Sequence, residues 1–76
     1  MIREVISMPI TMADIGALVE IKRITGTDEV KHHLRELGFI EGEQVVVVSK
    51  NGGDVIINVK DSRIALNQQL ANRIFI

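Results

Sequence analysis

The residues in this chain whose types and spacing most resemble ligand chemistry lie between Asp28 and Glu36. Asp28, His32 and Glu36 recur at i, i+4 and i+8, which lines one face of a helix. Glu29 and His33 form a second i, i+4 pair on a neighbouring face. Imidazole with carboxylate suits Zn²⁺, Fe²⁺ or Ni²⁺. The helical rise sets the Cα atoms of Asp28 and Glu36 roughly 12 Å apart, too far for both to grip one ion with His32. Each face therefore offers two ligands, Asp28 with His32 or Glu29 with His33. A two-ligand surface site for Fe²⁺ or Zn²⁺ is weak. Charge pairing along the helix, worth about 0.2–0.5 kcal/mol per pair, accounts for the same pattern.

No catalytic set emerges elsewhere. The two histidines are adjacent and project about 100° apart on a helix. No serine or threonine has a plausible histidine partner outside this segment. The absence of cysteine removes disulfides, thiolate metal sites and cysteine catalysis. Asn51-Gly52-Gly53-Asp54 lacks the lysine and the following helix of a phosphate loop, so it reads as a hairpin turn. Arg63 and Arg73 read as solvated cations. The residues thus point to no enzyme and to no cofactor beyond a weak metal site.

The helix that carries these side chains has a legible frame. Asp28 is the expected N-cap, with Thr27 as the alternative. Asp28 and Glu29 lie at the positive end of the helix dipole, and His32, His33 and Arg35 lie toward the negative end. Val30, Leu34 and Leu37 follow the i, i+4, i+7 rhythm of a buried stripe. Gly38 fits the left-handed position just past a helix end. With Leu37 as C-cap, Leu34 and Phe39 are the apolar pair that closes a Schellman motif. Gly42 marks a second tight turn, after which the valine run of Gln44–Lys50 predicts a strand at least partly covered on both faces. Phe39 and Ile40 read as core residues, or as a docking corner if part of the turn stays exposed.

Strands are also expected over Val19–Lys22, Val55–Lys60, Arg63–Asn67 and Ile74–Ile76. The apolar–charged alternation of the first slips at Arg23-Ile24, as at a bulge or a strand end. Gly52-Gly53 and Asp61-Ser62 supply tight turns, and Gln68–Ala71 a single helical or 3₁₀ turn. Thr11 to Asp14 loosely match a capping box with Thr11 as N-cap, in a short turn stopped by Gly16. Pro9 holds Met8 extended, and residues 1–7 read as a loosely specified lead-in. Five short strands with one α-helix and one or two helical turns predict a mainly β fold, a small closed barrel that hides the edges of its valine-rich strands.

Composition agrees. A chain of 76 residues with 46% apolar content makes one small, folded domain. Its net charge of −1 includes no basic run to neutralise a phosphate backbone. Phe39 and Phe75 are its only aromatic residues, a poor stacking platform, so nucleic acid is not an expected partner. No apolar stretch approaches the ~20 residues that span a bilayer, and Met1-Ile2-Arg3-Glu4 interrupts any signal sequence. A small secreted domain would usually carry disulfides, so a reducing cytoplasm is the expected location.

The pattern Leu34-x-x-Leu37-Gly38-Phe39-x-x-Gly42, with Gly52/Gly53-Asp54-x-Ile56, Ile64-Ala65-Leu66 and Ala71-x-x-Ile74 downstream, resembles the FeoA family. These are small SH3-like proteins encoded beside the bacterial ferrous iron transporter FeoB. The resemblance covers about Met8 to Ile76, opens on Met8-Pro9-Ile10, and leaves residues 1–7 outside as an extension. Val55 departs from it, since many members carry proline after the Gly-Asp pair. The resemblance implies a cytosolic, non-enzymatic accessory protein, monomeric or weakly self-associating, that contacts the cytoplasmic region of FeoB. The contact is expected at His33, Phe39, Ile40 and Glu41. The SH3-like C-terminal domain of metal-dependent iron repressors shares the fold, and its resemblance implies metal sensing or delivery. Nothing precedes the domain here, so the stand-alone accessory protein is the expectation.

Overall fold

The computed structural model describes residues 7–76; the lead-in expected over residues 1–7 lies outside it, apart from Ser7. A 3₁₀ turn over Ile10–Met12 precedes β1 (Leu18–Glu20) and β2 (Arg23–Ile24). The principal helix, α1 (Asp28–Glu36), leads into β3 (Gln44–Asn51), β4 (Asp54–Val59) and β5 (Ser62–Leu66). A short α2 (Gln68–Ala71) and β6 (Ile74–Phe75) end the chain. The strands form a four-stranded sheet in the order β1-β3-β4-β5 and a two-stranded sheet of β2 with β6. Every pairing is antiparallel.

The expected mainly β fold is present, but among the described residues the strands do not close into one hydrogen-bonded barrel. The chain changes sheet between Glu20 and Arg23, next to the slip in alternation at Arg23-Ile24. Leu18–Glu20 pairs with β3, and Arg23–Ile24 pairs with β6. Between them the Ile21 N–H donates to the Glu43 carbonyl (2.9 Å) and the Lys22 N–H to the Phe75 carbonyl (2.7 Å). The strand predicted over Val19–Lys22 thus ends at Glu20, and Arg23–Ile24, where the alternation slips, begins a separate strand in the other sheet. The Met8 and Ile76 backbones bond each other at 3.1 and 2.8 Å, which joins the start of the domain to its end.

Thr27 rather than Asp28 caps α1: its hydroxyl accepts from the Val30 N–H at 3.2 Å. Asp28 is already helical, so it is left to act through the dipole. Gly38 has φ +104°, and the Phe39 N–H reaches the Leu34 carbonyl at 2.9 Å while the Gly38 N–H reaches the Arg35 carbonyl at 3.0 Å. Those two bonds are the Schellman motif expected from the spacing. Leu34 and Phe39, its apolar pair, are both 0% exposed.

The β3–β4 hairpin turns on Gly52 and Gly53, whose φ values of +61° and +96° suit a two-residue turn that follows the strand twist. The next turn falls on Lys60 and Asp61, one residue earlier than predicted, with Lys60 at φ +55°. Within β3, Val47 faces Ile57 and Ser49 faces Ile56, so Val48 is an extra, bulged residue. The bulge lets the valine run stay in register: Val45 and Val47 are buried inside, while Val46 and Val48 are half-covered. Phe39, Ile10, Ile21, Leu34, Ile57 and Ile74 are the largest fully buried side chains, drawn from both sheets, α1 and the linking segments.

Thr11 does not cap a helix. Its hydroxyl donates to the Asn72 Oδ1 at 3.0 Å, tying the 3₁₀ turn to the end of α2. The Asn67 Oδ1 accepts from the Leu70 N–H at 2.9 Å, and the Asp54 carboxylate accepts from the Gln68 N–H at 3.1 Å. The hairpin aspartate therefore anchors a helix fourteen residues further on.

Candidate functional site

The geometry of α1 separates the candidate ligands. His32 Nε2 lies 2.9 Å from Glu36 Oε1, the pairing expected from i, i+4 spacing, and both side chains are mostly exposed. Asp28, Glu29 and His33 are exposed as well. Among the described residues no three His, Asp or Glu side chains converge where they could hold a metal ion. The residues proposed as ligands thus do not fit a three- or four-ligand centre, and His32 already has a carboxylate neighbour on its own helix.

The corner after α1 is the better-formed feature. The Schellman turn ends the helix at Leu37, buries Phe39 and then brings Ile40 and Glu41 to the surface. The Gly42 N–H donates to the Ile21 carbonyl at 2.8 Å, and the Glu43 N–H to the Ile40 carbonyl at 3.1 Å, so the turn is pinned at both ends. Gly42 holds φ +89° in open space. Against this turn lies a cleft of about 240 Å³ lined by Ile24, Lys31, Arg35, Phe39, Ile40 and Glu41.

The predicted contact set is therefore partly assembled. Ile40, 38% exposed, and Glu41 share the cleft, and Phe39 supports its floor from within the core. His33 is not among the lining residues; two positions from both Lys31 and Arg35, it projects about 200° round the helix from them. Lys31 and Arg35 are the residues that pattern reading passed over. Their i, i+4 spacing was visible, but only the corner's position shows that both overlook it.

The two aromatics are committed as well. Arg23 lies over the Phe75 ring, 4.7 Å from its centroid, and Phe39 is buried. Arg63 and Arg73 are exposed, as expected. Among the described residues no helix is long and apolar enough to cross a membrane.

These features define a small β module that presents a shaped surface beside one helix. Comparison with known proteins narrows that class. The FeoA domain model matches residues 8–76, and the chain belongs to that family. Stenotrophomonas maltophilia FeoA complexed with zinc, described as a prokaryotic SH3 domain protein, is 27% identical with a TM-score of 0.76. The alignment covers 88% of this chain and 86% of that one. An iron uptake regulatory protein, FeoA, is 24% identical with a TM-score of 0.81, covering 93% and 95% of the two chains. At that identity the likeness shows the fold alone. T. acidophilum IdeR is 25% identical with a TM-score of 0.82, covering 97% of this chain but 35% of that longer one. No curated protein sequence matches the chain.

Proposed function

We propose that this chain is a non-enzymatic cytosolic accessory protein of bacterial ferrous iron uptake, acting by contact with the cytoplasmic region of FeoB. The observation that carries the reading is membership of the FeoA family over residues 8–76. The S. maltophilia relative, put forward as a ferrous iron transport activating factor, supports the same role. The contact is made by the corner after α1, with Ile40 and Glu41 at the surface and Phe39 holding them in place. The working unit is residues 8–76, with residues 1–7 as an extension.

The decisive experiment is capture of FeoB from cell membranes by the purified protein, with and without guanine nucleotide. Ile40→Glu should leave the fold intact, because the side chain is already partly exposed, and should abolish capture. A folded variant that binds FeoB as well as the unmodified protein would reject this face.

A second reading, metal sensing or delivery through Asp28, Glu29, His32 and His33, draws on the zinc bound to the S. maltophilia relative. Calorimetry with Fe²⁺ and Zn²⁺ separates the two. Two-ligand faces should give binding weaker than micromolar. Sub-micromolar binding that disappears in His32→Ala/His33→Ala would establish the metal role instead.

A further inference from the structure

Lys31 and Arg35 stand one turn apart on α1, and both line the cleft at the corner. Like charges at i, i+4 disfavour a helix. Two close pairs form elsewhere among the described residues: Lys22 Nζ lies 3.3 Å from Glu20, and His32 Nε2 lies 2.9 Å from Glu36. Neither Lys31 nor Arg35 makes an ion pair among the described residues, although Glu41 lines the same cleft. Its rim therefore carries two cations against one carboxylate, while Ile24 and Ile40 supply apolar wall. The volume of about 240 Å³ is below the roughly 300–1,000 Å³ of small-molecule pockets, and suits one or two side chains of a protein segment.

We propose that this cleft takes a segment of the partner protein in which an acidic side chain lies next to an aliphatic one. The carboxylate sits between Lys31 and Arg35, relieving their repulsion, and the aliphatic side chain packs against Ile24 and Ile40. This deepens the reading that the corner meets a partner, and rests on it. Charge complementarity selects the occupant. A phosphate backbone would meet the Glu41 carboxylate and find no stacking ring, because Phe75 is covered by Arg23 and Phe39 is buried.

Two measurements test it. In the first, acetyl-Leu-Asp-Leu-Glu-amide and acetyl-Leu-Lys-Leu-Lys-amide are titrated into ¹⁵N-labelled protein. The acidic peptide should shift amides at Ile24, Lys31, Arg35 and Ile40, and the basic one should not. No shifts, or equal shifts from both, overturn the proposal. In the second, the cytoplasmic region of FeoB is titrated against the unmodified protein and Lys31→Gln/Arg35→Gln.

Loss of two exposed charge pairs should weaken binding about fivefold to tenfold, and the unmodified protein's affinity should fall with salt while the variant's changes little. Both positions are at least partly exposed, so the variant keeps the fold, checked by its amide spectrum. Unchanged affinity in the folded variant overturns the acidic-segment assignment and leaves the FeoB reading standing. Acidic-peptide binding without FeoB binding supports the cleft and removes FeoB as partner. Self-association abolished by the double substitution would instead identify a second copy as occupant and overturn the proposal.

Discussion

Gly38 shows how much one residue decides here. Its φ of +104° is a conformation that side chains with a Cβ rarely adopt, yet an added Cβ would only meet Val59 at an ordinary 3.6 Å. The restriction is therefore backbone strain and not lack of space. Gly38→Ala should destabilise the protein by about 1–2 kcal/mol, measured as a lower urea midpoint with an unchanged slope. Gly53 is a different case, since a Cβ there would fall 2.8 Å from the Gln68 Cδ. At Thr27, position was ambiguous by one residue because threonine and aspartate are both good caps; the backbone resolved it by extending Thr27 and making Asp28 helical.

Among the elements, α2 depends most on long-range help. Four residues cannot hold a helix on propensity alone. Its first turn is supported by Asn67, its own cap, and by Asp54 from the hairpin, while Thr11 holds Asn72 just beyond its last residue. Asp54→Ala should cost about 0.5–1.5 kcal/mol and raise amide hydrogen exchange across Gln68–Ala71 more than in β3. Equal exchange rates in the variant and the unmodified protein would show that Asn67 suffices. The sequence shows Asp54 as a turn residue because its second role lies across space, fourteen positions away.

For the whole molecule, Phe39 and Ile40 test the division between core and surface. These neighbours are 0% and 38% exposed. Phe39→Ala should lose about 3–5 kcal/mol, much of the stability of so small a domain, so its binding defect should come with a lowered unfolding temperature. Ile40→Glu should lose FeoB binding at full stability. Thermal unfolding of both variants beside the capture assay checks the distinction; a destabilised Ile40→Glu would place that residue in the core.

Local physics made much of this protein legible from residue order. The stop at Gly38 needs a left-handed backbone, the Gly52-Gly53 hairpin needs positive φ twice, and the i, i+4, i+7 stripe of α1 needs a partner, so each can be read without a neighbour in space. The Leu34–Phe39 closure was visible for the same reason. Tertiary contact decided the remainder. Whether Arg23-Ile24 is a bulge in the Val19–Lys22 strand or lies beyond its end depends on β3 and β6, which arrive later in the chain. Which of Lys31, His33 and Arg35 overlooks the corner depends on how α1 lies against Ile24 and Ile40. Pairing and burial between distant segments leave only faint marks on local pattern; in the cleft, Ile24 joins Lys31, Arg35, Phe39, Ile40 and Glu41 only through the fold.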